Sequence, residues 1–252
     1  MNKLDNVVAA LNLITEKTAF EIYIPSLKRV VKFKPLTAKQ QKTFYSCVDE
    51  IPIFNTQFII VAFNIIKENC TEVEIINSLN VIDRLAILLA IRINTLGNTV
   101  DIEKDGELYS LNLQECLNKI QNITLPSIKT VSVKNIQLEL QVPTLIDQYG
   151  LEKELREGIN SLPAKILIES LIIGEVGKLI KEIYIDNTPI NYAVFSHKER
   201  IEIVEKLPAE IIFELQSYAA QINNILENTT TFEISENNKV SFDITPDFFL
   251  DK

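Results

Sequence analysis

The stretch IYIPSLKRVVKFKPLTAKQQK (residues 22–42) reads as strand, turn, strand and capped helix. Ile22, Tyr23 and Ile24 favour β structure, and Pro25-Ser26-Leu27 interrupts the run. From Arg29 to Lys34 the residues alternate, with Val31 and Phe33 on one face and Val30, Lys32 and Lys34 on the other. Pro35 ends the second strand. Thr37 and Gln40 have the spacing of a capping box, in which hydroxyl and amide each satisfy a backbone N–H, so a helix is expected from Ala38. Six basic residues, Lys28, Arg29, Lys32, Lys34, Lys39 and Lys42, fall in this stretch, and no acidic residue lies between Ile22 and Val48 although the chain's net charge is −9.

Composition bounds what surrounds that stretch. A chain of 252 residues with 46% hydrophobic content buries a substantial core, as one large or two small domains. Its acidic balance argues against nucleic-acid binding, which needs many cations along one face. Cys47, Cys70 and Cys116 are odd in number and widely spaced, which suits buried thiols in a reducing compartment rather than a disulfide framework. The N-terminal MNKLDNVVAALNLITEK carries an acidic residue and polar interruptions where a signal peptide would be continuously apolar, so secretion is not expected. Residues 51–66 are broken by Asn55, Thr56, Gln57 and Asn64, and residues 164–185 by Lys165, Glu169, Glu175, Lys178, Lys181 and Glu182. Neither run is expected to span a membrane.

Taken in order, the chain begins with an N-terminal helix or arm in residues 1–19, helical near 7–14. The hairpin follows, then helices near 38–49 and 53–69. A stronger helix is capped by Asn80, has Asp83 in its first turn and Ile82, Leu85, Leu88, Leu89 and Leu96 on one stripe, and stops at Gly97. Asp105-Gly106 joins two strands in a tight turn. A second hairpin (130–142) ends in Pro143, with Thr144 and Asp147 at capping spacing, and helices are expected over 145–157 and 164–184. Ser196 and Glu199 make a further capping box, residues 209–226 form a long helix, and a closing hairpin turns at Asn237-Asn238. Residues 20–123 and 129–252 thus give the same order of elements, with 123–129 as the linker. We expect an α+β fold, predominantly helical, built as two similar modules with small antiparallel hairpins packed on helices.

Candidate chemistry is sparse. His197 is the only histidine and starts a capped helix, an ordinary place for a polar side chain, whereas a base needs a positioned partner. No glycine-rich phosphate loop and no zinc-ligand spacing is present, so no catalytic, cofactor-binding or metal residue is assigned. Glu152, Glu154 and Glu157, and Glu199, Glu202 and Glu205, read as solvated helix faces with basic neighbours. Arg92 falls on an apolar stripe, where a guanidinium ties elements together, snorkels or clamps a ligand.

Residues 28–42, with Pro25 before them, resemble the opening motif of the T4-like phage baseplate hub and hub-assembly proteins, a basic strand ending in proline and entering a helix rich in Lys, Glu and Gln, although this chain has Lys and Gln where acidic residues are common in the family. Asp83, Leu85, Leu88, Arg92 and Gly97 are similar to a second landmark of that family, and the closing hairpin with Asp247-Phe248-Phe249 to its finish. The resemblance implies a non-enzymatic structural or assembly protein of a contractile tail, a hub component or hub-assembly chaperone. Its partners would be other phage baseplate or tail proteins, with no small-molecule substrate, nucleic acid or membrane. It would work in the host cytoplasm during assembly or in the virion tail. The expected protein-interaction residues are Lys28, Arg29, Lys32, Lys34, Lys39, Lys42, Phe248 and Phe249. The competing class is a cytosolic enzyme or adaptor with an unrecognised carboxylate site, which a deep pocket of convergent polar groups would reveal. As a test of the core assignment, Leu88→Asp or Leu215→Asp is expected to unfold its module, measured by circular dichroism, since an unpaired buried charge costs several of the roughly 5–15 kcal/mol of a domain's stability.

Overall fold

A computed structural model describes residues 18–47, 56–158, 163–235 and 238–250, together with Val7 and Leu11. The expected N-terminal helix otherwise lies outside the described residues, as do residues 48–55 and residues 236–237 of the closing turn.

β1 (Phe20–Ile24) and β2 (Arg29–Phe33) form an antiparallel hairpin that buries Ile22, Ile24, Val31 and Phe33 and leaves Val30 and Lys32 exposed. Thr37 opens α1 (Ala38–Tyr45) with both halves of the capping box in place. α2 (Thr56–Asn69) returns the chain to the hairpin: the Lys34 N–H donates to the Asn69 carbonyl at 2.9 Å and the Thr71 N–H to the Lys32 carbonyl at 3.1 Å. A 3₁₀ turn (Val73–Ser78) leads to α3 (Val81–Leu96), capped by Asn80 and buried over most of its length. A helix apolar on nearly all sides must be enclosed, and α3 is the central rod of the molecule. Gly97 closes it at φ 97°, where a side chain would be strained.

β3 (Thr99–Lys104) and β4 (Glu107–Asn112) turn through Asp105-Gly106, whose φ values of 55° and 81° are the positive pair a tight hairpin needs. Next comes α4 (Leu113–Gln121), a helix not expected from the sequence, which packs along α3 and buries Leu113, Cys116, Leu117 and Ile120.

The second half opens with β5 (Lys129–Val133) and β6 (Ile136–Leu140), after which the Thr144 hydroxyl accepts from the Asp147 N–H at 3.1 Å to cap α5 (Leu145–Gly158). The helix expected over 164–184 is shorter: α6 (Ala164–Gly177) stops, and Ile180–Ile185 is a strand, β7, paired with β6. The β-branched run finds an open ladder on β6, and an Asp186-Asn187 turn with φ of 50° and 63° folds it back as β8 (Thr188–Ile190). Gly174 does more than weaken α6, since a Cβ there would come within 2.6 Å of Leu151 on α5. α7 (His197–Val204) starts on the Ser196–Glu199 capping box, and α8 (Ala209–Thr230) buries Ile211, Leu215, Tyr218 and Ile222. The chain ends in the hairpin β9 (Thr231–Ser235) and β10 (Asn238–Ser241) and a 3₁₀ turn, Pro246–Phe249.

The fold is α+β and predominantly helical, with three two-stranded hairpins and the four-stranded sheet β5–β6–β7–β8 among the described residues. Both halves contribute to one hydrophobic core.

α3 and α5 also meet through buried polar groups. Arg84 Nη1 donates to Gln148 Oε1. One turn on, Glu152 is 2% exposed and its Oε2 has no hydrogen-bond partner among the described residues, so it does not sit on the solvated face expected of it. Burial holds its carboxyl up to about 7, against the pull of Lys178 and Arg84. The folded chain keeps this proton more tightly than the unfolded one. Its contribution to stability is therefore full below about 4.5 and lost as pH rises through about 7. Glu152→Gln is expected to flatten the resulting decline, measured by urea denaturation at a series of pH values, with an effect of at most about 3 kcal/mol at the alkaline end.

Candidate functional site

The alternation of β2 sends Val31 and Phe33 inward, and Pro35 and the Thr37 cap then swing α1 across the end of α2. A cleft of about 560 Å³ opens between them, with Lys34, Lys39 and the exposed Glu68 at its rim and the buried Gln40 and Asn69 along its floor. The floor is a linked hydrogen-bond set. Gln40 Nε2 donates to Asn69 Oδ1 at 2.8 Å and to Glu68 Oε2 at 2.9 Å, while its Oε1 accepts from the Thr37 N–H at 3.0 Å. Gln40 and Asn69 are buried, so these bonds replace the water that both amides have lost.

The basic residues of the opening stretch divide into two groups around this cleft. Arg29 pairs with Glu72 at 2.7 Å, and that carboxylate raises the already high pKa of its guanidinium; Lys32 pairs across the hairpin with Glu21 at 3.4 Å. Lys28 at the turn and Lys39 and Lys42 on α1 are exposed, with Lys34 half-buried at the cleft. Lys28, Lys39 and Lys42 thus place positive charge at the turn and along the outer side of α1.

Phe248 and Phe249 are not on that surface. They are 6% and 0% exposed: Phe249 stacks on Phe44 of α1 at 4.2 Å between centroids, and Phe248 stacks on Phe242 at 5.4 Å. Large rings gain more from an apolar enclosure than any surface place offers, and here they hold α1 from beneath. Arg92 completes the arrangement as an inter-element tie. Its Nε donates to the Phe248 carbonyl at 2.9 Å, Nη1 to Gly97 O at 2.8 Å and Nη2 to Thr99 O at 3.3 Å.

His197 packs against Gly150, where an added Cβ would fall 2.2 Å from its Nε2, and burial lowers its pKa. Arg200 beside it binds Asp147 at 2.8 Å and lies over the Tyr192 ring. These are packing roles. Among the described residues no group of three His, Cys, Asp or Glu is placed to hold a metal, and no helix is long and apolar enough to cross a membrane.

The family model described as T4 bacteriophage base plate protein matches residues 15–250, a span that takes in the basic hairpin, the cleft, α3 and the C-terminal aromatic pair. The chain belongs to this baseplate family. No curated protein and no solved structure matches it. The cleft floor of this baseplate chain is hidden in its sequence because Gln40 and Asn69 lie far apart along it; the capping spacing of Gln40 is the only local signal. Asn69→Leu, which removes one of the two acceptors of the Gln40 amide and leaves Glu68 as the other, is expected to cost about 1 kcal/mol in urea denaturation, whereas Lys39→Gln at the rim is expected to stay within about 0.5 kcal/mol.

Proposed function

We propose that this baseplate-family protein is a non-enzymatic component of contractile-tail assembly, and that the cleft between β2, α1 and α2 docks an acidic segment of another baseplate protein. The observation that carries this is the placement of Lys34 and Lys39 over a polar, already satisfied floor in a chain of net charge −9. Lys28 and Lys42 widen the positive surface, while Arg29 and Lys32 sit in exposed ion pairs with Glu72 and Glu21. Lysines near a strand edge also discourage unwanted strand pairing. Docking and edge protection differ in one respect: rim charges that meet a partner steer its approach, and the association rate then falls with salt.

Quantitative mass spectrometry of purified particles separates a hub subunit, present at stoichiometric level, from an assembly chaperone, found in infected lysate and absent from particles. For the cleft itself, the triple variant Lys34→Gln, Lys39→Gln, Lys42→Gln is expected to fold normally. Its association with hub components at low salt is expected to slow about tenfold or more and to lose most of its salt dependence. An unchanged rate would overturn the docking proposal.

A further inference from the structure

The second half carries two apolar surfaces that no described element of the chain covers. One is a groove of about 530 Å³ floored by Ile183, Ile185 and Ile190 of β7 and β8 and walled by Phe195 and by Ile203 of α7. Its rim holds Glu199, Glu202 and Lys206. The other is the outer side of α6, where Ile168 and Ile172 are 39% and 57% exposed. α6 buries only one flank, around Leu167 and Gly174, against its neighbours, and leaves these isoleucines outside it.

Charge relates the two surfaces. On α7 and its C-terminal extension, Glu202 and Lys206 stand four residues apart, acid first. On the exposed side of α6, Lys165 and Glu169 stand four residues apart, base first. A helix laid in the groove parallel to α7 with the sequence of α6 sets Lys165 against Glu202 and Glu169 against Lys206. Ile168 and Ile172, on the same stripe, then enter the apolar floor. The antiparallel arrangement opposes like charges at both positions, so the pattern selects one direction for this occupant.

We propose that the groove receives α6 of a second copy of this chain. Donor and acceptor are different surfaces, so the contact is heterologous: each complex still presents one free helix at one end and one free groove at the other, and copies add head to tail until a ring closes. This surface is separate from the basic cleft, and its test is independent of the docking proposed there.

The test uses the full chain in sedimentation velocity at low salt over a wide range of concentration. Wild type is expected to associate beyond the monomer. Ile172→Asp and Ile185→Asp, both at exposed positions and checked by circular dichroism, are each expected to be monomeric where wild type associates. Mixed together, they are expected to recover a complex of one copy of each, because the intact groove of the first accepts the intact α6 of the second. Lys165→Glu or Glu202→Lys alone is expected to weaken association about tenfold, and the double exchange to restore it. A wild type that stays monomeric throughout overturns the proposal, as does a mixture of the two aspartate variants that fails to pair.

Discussion

The carboxylate of Asp83 is the interaction on which the rest of the structure depends. It is fully buried at the first turn of α3 and accepts from the Asn80 N–H at 2.9 Å, from the Ser26 N–H at 3.0 Å and from the Ser26 hydroxyl. Burial pushes its carboxyl up, and the bonds from Ser26 and Asn80 pull it back. One side chain therefore completes the cap of the central helix and fastens the turn of the first hairpin to it. The same helix start meets the second half, where the Val81 N–H donates to the Pro143 carbonyl at 3.1 Å and the Leu145 N–H to the Leu79 carbonyl at 2.8 Å. Both units of hairpin, proline and capped helix are thus anchored at one end of α3.

The other end of α3 is held just as specifically. Arg92 gathers the carbonyls of Gly97, Thr99 and Phe248, so the second hairpin and the C-terminal turn converge on one guanidinium. Thr95 adds a bond from the Leu36 N–H at 3.0 Å, which fixes the chain where it leaves β2 for α1. The cleft is consequently suspended from α3 on one side and propped by Phe249 beneath Phe44 on the other. A docking surface gains from this rigidity, because lysines on a fixed frame lose less freedom when a partner arrives.

Features carried by neighbours in sequence are legible in the chain as written: the capping boxes at Thr37, Asn80 and Ser196, the Asp105-Gly106 turn, the Gly97 stop and the inward face of β2. Features made by distant partners are not. Asp83 reads as a first-turn acid, but its bond to Ser26 spans the whole of the first helical layer. The run after Gly177 reads as helix by composition, and only β6 lying alongside makes it a strand. α4 does carry a local signal, apolar residues at spacings of three and one, yet it is short and follows a hairpin without a break. Glu152 and the Phe248-Phe249 pair have surface-compatible contexts in sequence and are buried by helices far away in it. The two halves share an order: a hairpin, a capped helix, a second helix, then a long helix and another hairpin. We propose that this order reflects a duplicated unit, with β7, β8 and α7 added in the second copy.

If α3 and its polar ends organise the whole chain, loss of Asp83 must be felt well beyond its contacts. Native-state hydrogen exchange compared between wild type and Asp83→Ala measures this directly. The account predicts a common loss of protection in β1–β2, along α3 and in residues 138–148, all of similar size. Loss confined to residues 24–28 and 80–83, with α3 and the second half as protected as before, would contradict it.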